Sequence, residues 1–503
     1  MPLKPDFDEN AEKQLALLKR LKPTDEFGEL ITAPLFTFQV LEHAENRAES
    51  SSPTPIFSQY GLIAGVPEDA PGITSHDPRV YYNVASPSST FICGSQGSGK
   101  SHTLSCLLED CLIKSDALGV LPRPLTGIVF HYDDYASDSR VAPCEAAYLG
   151  SDPSIKESYG SLENVKVEAL RLDESHLNTK RMLDLMAFDK IQPLYVQVLQ
   201  RILREMRLDQ QRTGGAFDYR AFKNKLSSEV LLPEQTKALN QRLDTLESFM
   251  VPDQVGSFTN SKKRSGTGTD WRLEAGELII VDLTCPCITA PMACALFNIC
   301  LSIFLGQPSS IGRVIALDEA HRYMGDSSEC DAFTNSLLAA IRVQRHVGAR
   351  IIISTQEPTI SPKLLDLCSI TVVHRFSSPD WLSVLTKHLA GISKLSQVTR
   401  AVDAANGDAD EDEDEDDRGA ALSQRMRSLD ISKGDPILDL FAKIVMLRTG
   451  EALVFAPSAV VSLESQDPNG GVKAVPRKLA HNVLRVVVRD RITRDGGQSI
   501  LAS

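Results

Sequence analysis

Residues 94–101 read Gly94-Ser95-Gln96-Gly97-Ser98-Gly99-Lys100-Ser101, which fits the pattern G-x-x-x-x-G-K-[ST]. The apolar run Phe91-Ile92-Cys93 precedes this stretch, and a helical pattern from Leu104 to Leu112 follows it. Between a strand and a helix, glycines let backbone N–H groups surround phosphate oxygens, and the helix N-terminus adds partial positive charge. The stretch therefore predicts a phosphate-binding loop. In it, Lys100 is expected to reach the β- and γ-phosphates of a bound nucleotide and the Ser101 hydroxyl to bind Mg²⁺.

The alternative is a glycine-rich turn that contains a lysine by chance. The strand before the loop, the helix after it and the three glycines in register argue against that interpretation. The residues predicted to bind nucleotide are Gly94, Ser95, Gln96, Gly97, Ser98, Gly99, Lys100, Ser101 and His102.

A second apolar run, Val314 to Leu317, ends in Asp318 and Glu319. A strand that ends in Asp places a carboxylate at the carboxyl edge of a parallel sheet, where the Mg²⁺ of a bound nucleotide would lie. Asp318 is therefore the second predicted metal ligand, after Ser101. Glu319 is predicted to face the γ-phosphate and to orient or deprotonate the attacking water. The alternative is a strand that runs into an acidic loop.

A third apolar run, Ile351 to Ile353, ends in Ser354-Thr355-Gln356. The helical spacing of residues 333–343 predicts a β-α-β crossover that sets the strands of the second and third runs side by side. The Gln356 amide both donates and accepts, so it is suited to hold the attacking water or to sense the γ-phosphate. The alternative is a glutamine that caps the turn before Pro358.

Short apolar runs alternate with helical patterns from about Arg79 onward, which indicates βαβ units. The predicted fold class is α/β, with a central, mostly parallel sheet flanked by helices and interrupted by a helical insertion. The predicted buried strands cover residues 89–93, 127–132, 165–171, 277–283, 313–317, 350–354, 369–374 and 452–456.

Composition and periodicity divide the chain into six segments. Long helical periods mark the insertion, and nine of the ten residues 408–417 are acidic, which is typical of a solvated, disordered run. The predicted segments are a flexible lead-in at 1–75, the first part of the phosphate-loop domain at 76–187, the helical insertion at 188–255, the second part of that domain at 256–400, an acidic disordered loop at 401–435, and a C-terminal strand with a basic tail at 436–503.

The order of the three motifs resembles that of the HerA–FtsK group of P-loop ATPases. The resemblance is strongest over residues 91–118 and 273–389, and the runs 277–283 and 318–323 are closer to the HerA branch. It implies a RecA-like fold, ATP and Mg²⁺ as ligands, and a motor that mostly acts on DNA, a translocase or a helicase. It also implies that Glu319 is the catalytic base and Gln356 the polar sensor. HerA proteins usually start with a β-barrel domain, whereas residues 1–75 are too polar and Pro-rich to predict one.

HerA-like proteins carry a Gly-Arg-Lys-aromatic-Gly pattern where this chain has residues 344–348. The resemblance implies that Arg345 enters the active site of a neighbouring subunit in a homo-oligomeric, hexameric ring. Here Gln344 replaces the first Gly and His346 replaces the Lys. The alternative is an exposed arginine that offsets the dipole at a helix C-terminus.

The chain has 503 residues, and 53 Lys and Arg against 66 Asp and Glu give a net charge of −13. This charge excludes a uniformly basic, nucleic-acid-coating surface, because such binding neutralises many phosphates. Local basic candidates for a polyanion channel remain at residues 262–264, 342–350 and 485–494. A second class of function is a nucleotide-switched interaction protein, whose acidic run 408–417 binds basic protein partners.

The ten cysteines are scattered through apolar segments, as expected for buried thiols in a reducing compartment. A zinc site at Cys285, Cys287, Cys294 and Cys300 is the alternative, although their spacing does not match paired C-x₂₋₄-C knuckles. No apolar run reaches the length of a membrane span, and residues 1–10 lack the apolar core of a signal peptide. We therefore expect no membrane partner and a soluble, intracellular protein, in the cytoplasm or the nucleus.

Overall fold

The structure, a computed structural model, describes eleven stretches of the chain. They are residues 26–51, 55–68, 77–134, 144–151, 166–185, 194–214, 217–255, 268–308, 310–388, 436–466 and 473–494. The segment 401–435 with its acidic run, the basic cluster 262–264 and residues 1–25 lie outside the described residues.

The described residues contain fourteen strands and thirteen α-helices. The strands are β1 Leu35–Thr37, β2 Tyr60–Gly65, β3 Arg79–Tyr82, β4 Ser89–Cys93, β5 Gly119–Val120, β6 Thr126–His131, β7 Leu278–Asp282, β8 Arg313–Leu317, β9 Ala349–Thr355, β10 Ile370–Val373, β11 Glu451–Phe455, β12 Val460–Gln466, β13 Lys473–Lys478 and β14 Leu484–Val488. The α-helices are α1 Glu26–Thr32, α2 Phe38–Ser51, α3 Lys100–Leu112, α4 Thr179–Leu185, α5 Leu194–Thr213, α6 Tyr219–Ser227, α7 Pro233–Phe249, α8 Pro252–Val255, α9 Ala290–Gly306, α10 Ser328–Val347, α11 Pro362–Leu367, α12 Pro379–His388 and α13 Pro436–Val445.

Six strands form a parallel region in the order β10-β4-β9-β8-β6-β7. Side chains alternate between two buried faces: Phe91 and Ile351 lie in the core on one side, and Ile92 and Ile352 lie in the core on the other. Burial on both faces explains why these strands are continuous apolar runs. The predicted fold class is confirmed. Strand β9 pairs with both β4 and β8, so the carboxyl ends of the three motif strands meet at one edge of the sheet.

The sheet continues on its other side as a mostly antiparallel region, through β11, β14, β2, β3 and β1 to β12 and β13. Residues 26–65, predicted as part of a flexible lead-in, differ from that expectation because they contain α1, α2, β1 and β2. An aromatic cluster holds them in place. Phe36 stacks on Phe57 with ring centroids 3.8 Å apart, and Tyr60 and Tyr81 pack around this pair. These strands are short and separated by polar and proline residues, so they leave little period-2 signal.

The strand predicted at residues 165–171 does not form among its described residues, 166–171. Instead, Leu172 makes an isolated bridge with Met250 at the end of α7, and Arg171 bonds with Thr269 through its backbone. Leu172 is buried in the same core as the helices of the insertion. This extended segment therefore packs against the insertion rather than joining the sheet.

Helices α5 to α8 form the helical insertion between β6 and β7. Their apolar faces include Leu199, Phe222 and Leu243. These side chains share one core with α9, α10 and the sheet face of β4, β6, β8 and β9 that carries Phe91 and Ile351. The insertion is therefore packed onto the sheet domain through a common core. Among the described helices, none is both long and apolar enough to cross a membrane.

Candidate functional site

The loop between β4 and α3 has the backbone shape that phosphate binding needs. Gly94, Gly97 and Gly99 all have positive φ angles, of 153°, 71° and 111°. A Cβ on Gly94 would lie 2.7 Å from the Cβ of His374, so a larger residue does not fit there. The loop is therefore tightly packed at Gly94 and uses backbone conformations that glycine adopts readily.

Lys100 and Ser101 open helix α3 at the end of this loop. The Lys100 side chain is buried, and its Nζ donates a hydrogen bond of 3.0 Å to the carbonyl of Ser95 within the loop. Burial lowers the pKa of Lys100, while the negative charges of Glu319 and Asp318 oppose that shift. The ammonium group thus lies across the loop, near the two carboxylates of the second motif.

Asp318 follows β8 and is buried. Its Oδ2 lies 3.1 Å from Nδ1 of His131 and 3.7 Å from Sγ of Cys144. Its Oδ1 is buried and has no hydrogen-bond partner among the described residues. A buried carboxylate oxygen without a donor is an unmet requirement that a cation or its bound water satisfies. The site therefore fits the predicted Mg²⁺.

Glu319 has a left-handed backbone, with φ 47° and ψ 46°, which is rare for a residue with a Cβ. Its Oε2 accepts a hydrogen bond of 3.3 Å from Nε2 of Gln356 at the end of β9. Burial raises the pKa of the Glu319 carboxyl, and the charge of Asp318 raises it further, whereas Lys100 lowers it. The structure thus brings Lys100, Asp318, Glu319 and Gln356 together, as the sequence predicts.

His321 supports this pair from the turn after β8. Its Nδ1 accepts a hydrogen bond of 3.3 Å from the backbone N–H of Gln356 and lies 3.3 Å from Oε2 of Glu319. Burial and the nearby Arg322 lower the pKa of His321 to about 4, so its imidazole is neutral at pH 7. Its contact with Glu319 is therefore not an ion pair, and its role is to fix the backbone of Gln356.

Sequence reasoning missed two groups beside the phosphate loop. His374 follows β10 and is fully buried. Its Nδ1 donates a hydrogen bond of 2.9 Å to the carbonyl of Glu451, and its Nε2 lies 2.9 Å from the Thr103 hydroxyl. The backbone N–H of Gly450 donates 3.2 Å to the carbonyl of Ser98. His374 ends a predicted parallel strand, which is a usable signal for a residue at the sheet edge. Gly450 carried no comparable signal for contact with the loop.

His102 and the C-terminal basic tail lie together. Nε2 of His102 donates 2.8 Å to the carbonyl of Arg489, so this imidazole faces the tail rather than the loop. Arg489 in turn pairs with Glu109 and Asp110 on α3 at 2.6 and 3.0 Å, and its side chain is 9% exposed. Arg485 pairs with Glu451 at 2.9 Å. The prediction that residues 485–494 offer a basic surface to a polyanion is therefore wrong for Arg489, which is used in internal ion pairs.

Arg345 lies far from these residues within one chain. It is exposed in the last turn of α10, which ends just before the amino end of β9. The phosphate loop follows the carboxyl end of β4, which is parallel to β9. A seven-residue strand at about 3.3 Å per residue separates the two edges by roughly 20 Å. The structure therefore does not bring Arg345 into the site of its own chain.

The four cysteines considered as zinc ligands have different surroundings. Cys287 is exposed and Cys285 is half-buried in the turn before α9, whereas Cys294 and Cys300 are buried within that helix. Sγ of Cys294 donates 3.0 Å to the carbonyl of Tyr323. The metal-ligating types that do meet among the described residues are His131, Cys144 and Asp318.

Solved structures to which this chain is similar include VirB4 of Thermoanaerobacter pseudethanolicus, at 11% identity and a TM-score of 0.42, covering 86% of this chain and 97% of that chain. They also include the plasmid coupling protein TrwB in complex with ADP and Mg²⁺, at 14% identity and a TM-score of 0.41, covering 88% of this chain and 96% of that chain. No protein-family model and no curated protein matches the sequence.

Proposed function

We propose that this chain is a Mg²⁺-dependent ATP hydrolase. The observation that carries the proposal is the meeting of the three motifs at one sheet edge, where Nε2 of Gln356 lies 3.3 Å from Oε2 of Glu319 beside a phosphate loop with three glycines of positive φ. A carboxylate and an amide arranged in this way prepare a water molecule rather than an acceptor hydroxyl. Hydrolysis is therefore favoured over transfer of phosphate to a small molecule.

In the proposed mechanism, the loop backbone and Lys100 bind the β- and γ-phosphates. Lys100 leaves its internal bond to Ser95 and neutralises charge that develops on the γ-phosphate. Gln356 orients the attacking water, and Oε2 of Glu319 accepts its proton. Burial raises the pKa of Glu319, which strengthens it as a base. Bound Mg²⁺ would be held by Ser101 and Asp318 and would offset the phosphate charge.

The test is release of inorganic phosphate from ATP by the purified full chain. Lys100→Ala and Glu319→Gln are expected to reduce turnover by about 10² or more, because each removes a group that acts on the transition state. Glu319→Gln is expected to retain nucleotide binding. Lys237→Ala, which removes an exposed lysine on α7, is the matched control and should retain full activity. Equal turnover in Lys100→Ala and the wild type would contradict the proposal.

We further propose that the hydrolase works as a ring-forming motor that translocates or remodels DNA, as the order of its motifs implies. Phosphate release should rise with duplex DNA, and the particle mass in ATP should correspond to a ring, with six subunits expected. The same assay with single strands and with RNA identifies the preferred polymer. No stimulation by any nucleic acid would contradict the motor and leave the hydrolase in place.

Two observations favour a second candidate, a nucleotide-switched interaction protein. The buried ion pairs of Arg489 remove part of the basic tail from any polyanion channel, while nine of the ten residues 408–417 are acidic. Such a run is suited to basic protein partners. Slow turnover that a bound basic protein accelerates, and that DNA leaves unchanged, would support this candidate over the motor.

A further inference from the structure

Three side chains of metal-ligating type meet at the carboxyl end of β8. His131 ends β6, Cys144 precedes a short 3-10 helix at Glu145–Ser151, and Asp318 follows β8. Nδ1 of His131 and Sγ of Cys144 lie 3.1 and 3.7 Å from the same oxygen, Oδ2 of Asp318. All three ligand atoms lie within 4.8 Å of one another. The ATPase mechanism uses Asp318 but neither His131 nor Cys144.

The separations match a tetrahedral zinc site. Zinc bonds of about 2.0–2.3 Å to nitrogen, oxygen and sulfur hold neighbouring ligand atoms about 3.3–3.7 Å apart. The separations of 3.1 and 3.7 Å from Oδ2 need adjustments of only a few tenths of an ångström, and the third pair, Nδ1 of His131 and Sγ of Cys144, lies within 4.8 Å. The three residues are also buried, so their side chains are already restricted and little ordering entropy is lost on binding.

The charges match as well. When a metal displaces the protons of His131 and Cys144 into solvent, an ionised Asp318 and a Cys144 thiolate carry two negative charges beside a neutral imidazole, which together neutralise a divalent cation. A thiol and an imidazole prefer a borderline-soft cation such as Zn²⁺ or Co²⁺ to Mg²⁺, which prefers oxygen ligands. We propose that His131, Cys144 and Asp318 form a binding site for a zinc-class divalent cation, distinct in ligand type from the Mg²⁺ position at the nucleotide.

A consequence for catalysis rests on the proposed function. Asp318 belongs to both positions, with Oδ2 facing His131 and Cys144 and Oδ1 lacking a partner among the described residues. A zinc ion on Oδ2 withdraws negative charge from the carboxylate that supports Mg²⁺. Zinc is therefore expected to inhibit ATP hydrolysis even when Mg²⁺ is in excess.

The binding test titrates the full chain with Co²⁺ alone, without nucleotide. Thiolate ligation produces a sulfur-to-cobalt charge-transfer band, which Zn²⁺ should remove on addition. Cys144→Ser should lose this band and bind Zn²⁺ at least about tenfold more weakly, whereas Cys287→Ser, an exposed cysteine, should behave as the wild type. Cys144→Ala is measured in parallel, and circular dichroism of both variants establishes that they are folded. A band that folded Cys144 variants retain, or no band in the wild type, would overturn the proposal.

The activity test compares phosphate release with and without Zn²⁺ in each protein. The rate of phosphate release with Zn²⁺, divided by the rate without it, should fall below one in the wild type and in Cys287→Ser. In Cys144→Ser this ratio should stay near one. If the cobalt band follows Cys144 but no protein hydrolyses ATP, the metal site stands and the proposed hydrolase fails. If hydrolysis occurs and the band is absent, the hydrolase stands and the metal site is wrong.

Discussion

Glu319 combines the catalytic role proposed for it with an unfavourable backbone. Among the described residues, only Glu319 and Ala480 have positive φ without being glycine. For a residue with a Cβ, the left-handed conformation costs about 1–2 kcal/mol. The surrounding contacts offset this cost, because Gln356 donates a hydrogen bond to the Glu319 carboxylate and His321 accepts one from the backbone of Gln356. Strain of this kind is typical of active sites.

The strain at Glu319 predicts the stability of two variants that both lack the carboxylate. Glu319→Gly and Glu319→Ala should both be inactive, but Glu319→Gly should have the larger free energy of unfolding, by about 1 kcal/mol, because glycine adopts φ 47° without steric cost. Chemical denaturation of the two proteins measures the difference. Because both variants lack the carboxylate, their difference in stability does not include the effect of the lost charge. Equal stability, or a more stable alanine variant, would show that the backbone is not strained.

The predicted site residues that the structure brings together include three at the ends of buried strands. Asp318, Glu319 and Gln356 follow apolar runs, and parallel pairing brings the ends of those runs together. Cys144 could not be placed in this way, since it reaches Asp318 from a segment that follows no predicted strand. Its position depends on tertiary packing, which a local pattern does not encode.

At the level of elements, helix α3 is held by the C-terminal segment as well as by the sheet. The side chains of Glu109 and Asp110 are fully buried, and Arg489 forms ion pairs with both carboxylates. Thr493 adds a hydroxyl that donates 2.6 Å to Glu109. A Cβ on Gly61 of β2 would lie 2.4 Å from the Asp110 side chain, so the strand approaches the helix closely. The helix that carries Lys100 is therefore fixed by charge pairing at its far end.

Removal of Arg489 should destabilise the whole domain. Arg489→Ala leaves Glu109 and Asp110 buried without their main partner, and breaking a buried ion pair in this way costs about 3–5 kcal/mol. Arg489→Lys should recover part of the loss, because it restores the charge without the two-pronged geometry of the guanidinium. Thermal and chemical unfolding measure both. Arg123→Ala, an exposed arginine, is the control and should change the free energy of unfolding by less than about 0.5 kcal/mol. If Arg489→Ala also changed the free energy of unfolding by less than about 0.5 kcal/mol, the ion pairs of Arg489 would not be what fixes α3.

Elements with both faces buried were predictable, and elements that depend on distant partners were not. β4 and β8 appear in the sequence as apolar runs with the same bounds as in the structure. β1 has three residues and is stabilised by pairing with β3 and β12, which lie far away in the chain. Residues 166–171 show the opposite case: they resemble a strand locally, but the insertion takes the place of a pairing partner. Non-local pairing decided both outcomes.

At the scale of the whole molecule, charge is distributed unevenly. Removing the nine acidic residues of 408–417 changes the net charge from −13 to −13 + 9 = −4. Most of the acidity therefore belongs to one run and does not oppose nucleic-acid binding elsewhere. Exposed positive charge among the described residues includes Arg342 and Arg345 near the end of α10, on the edge of the sheet opposite the phosphate loop. If Arg345 enters the active site of a neighbouring subunit, that subunit would contact this one at the same edge of the sheet.

The position of Arg345 predicts complementation between two inactive variants. Arg345 lies roughly 20 Å from its own phosphate loop by strand length, so any catalytic role requires a second subunit. Arg345→Ala keeps Glu319 but lacks the arginine, whereas Glu319→Gln keeps the arginine but lacks the base. Each alone should hydrolyse ATP slowly. Mixed rings should recover activity at about one interface in four, those in which an intact Glu319 meets an intact Arg345. Phosphate release from a mixture at equal concentrations measures this recovery. An active Arg345→Ala protein would remove the residue from catalysis, and a mixture as slow as its components would contradict a site shared between subunits.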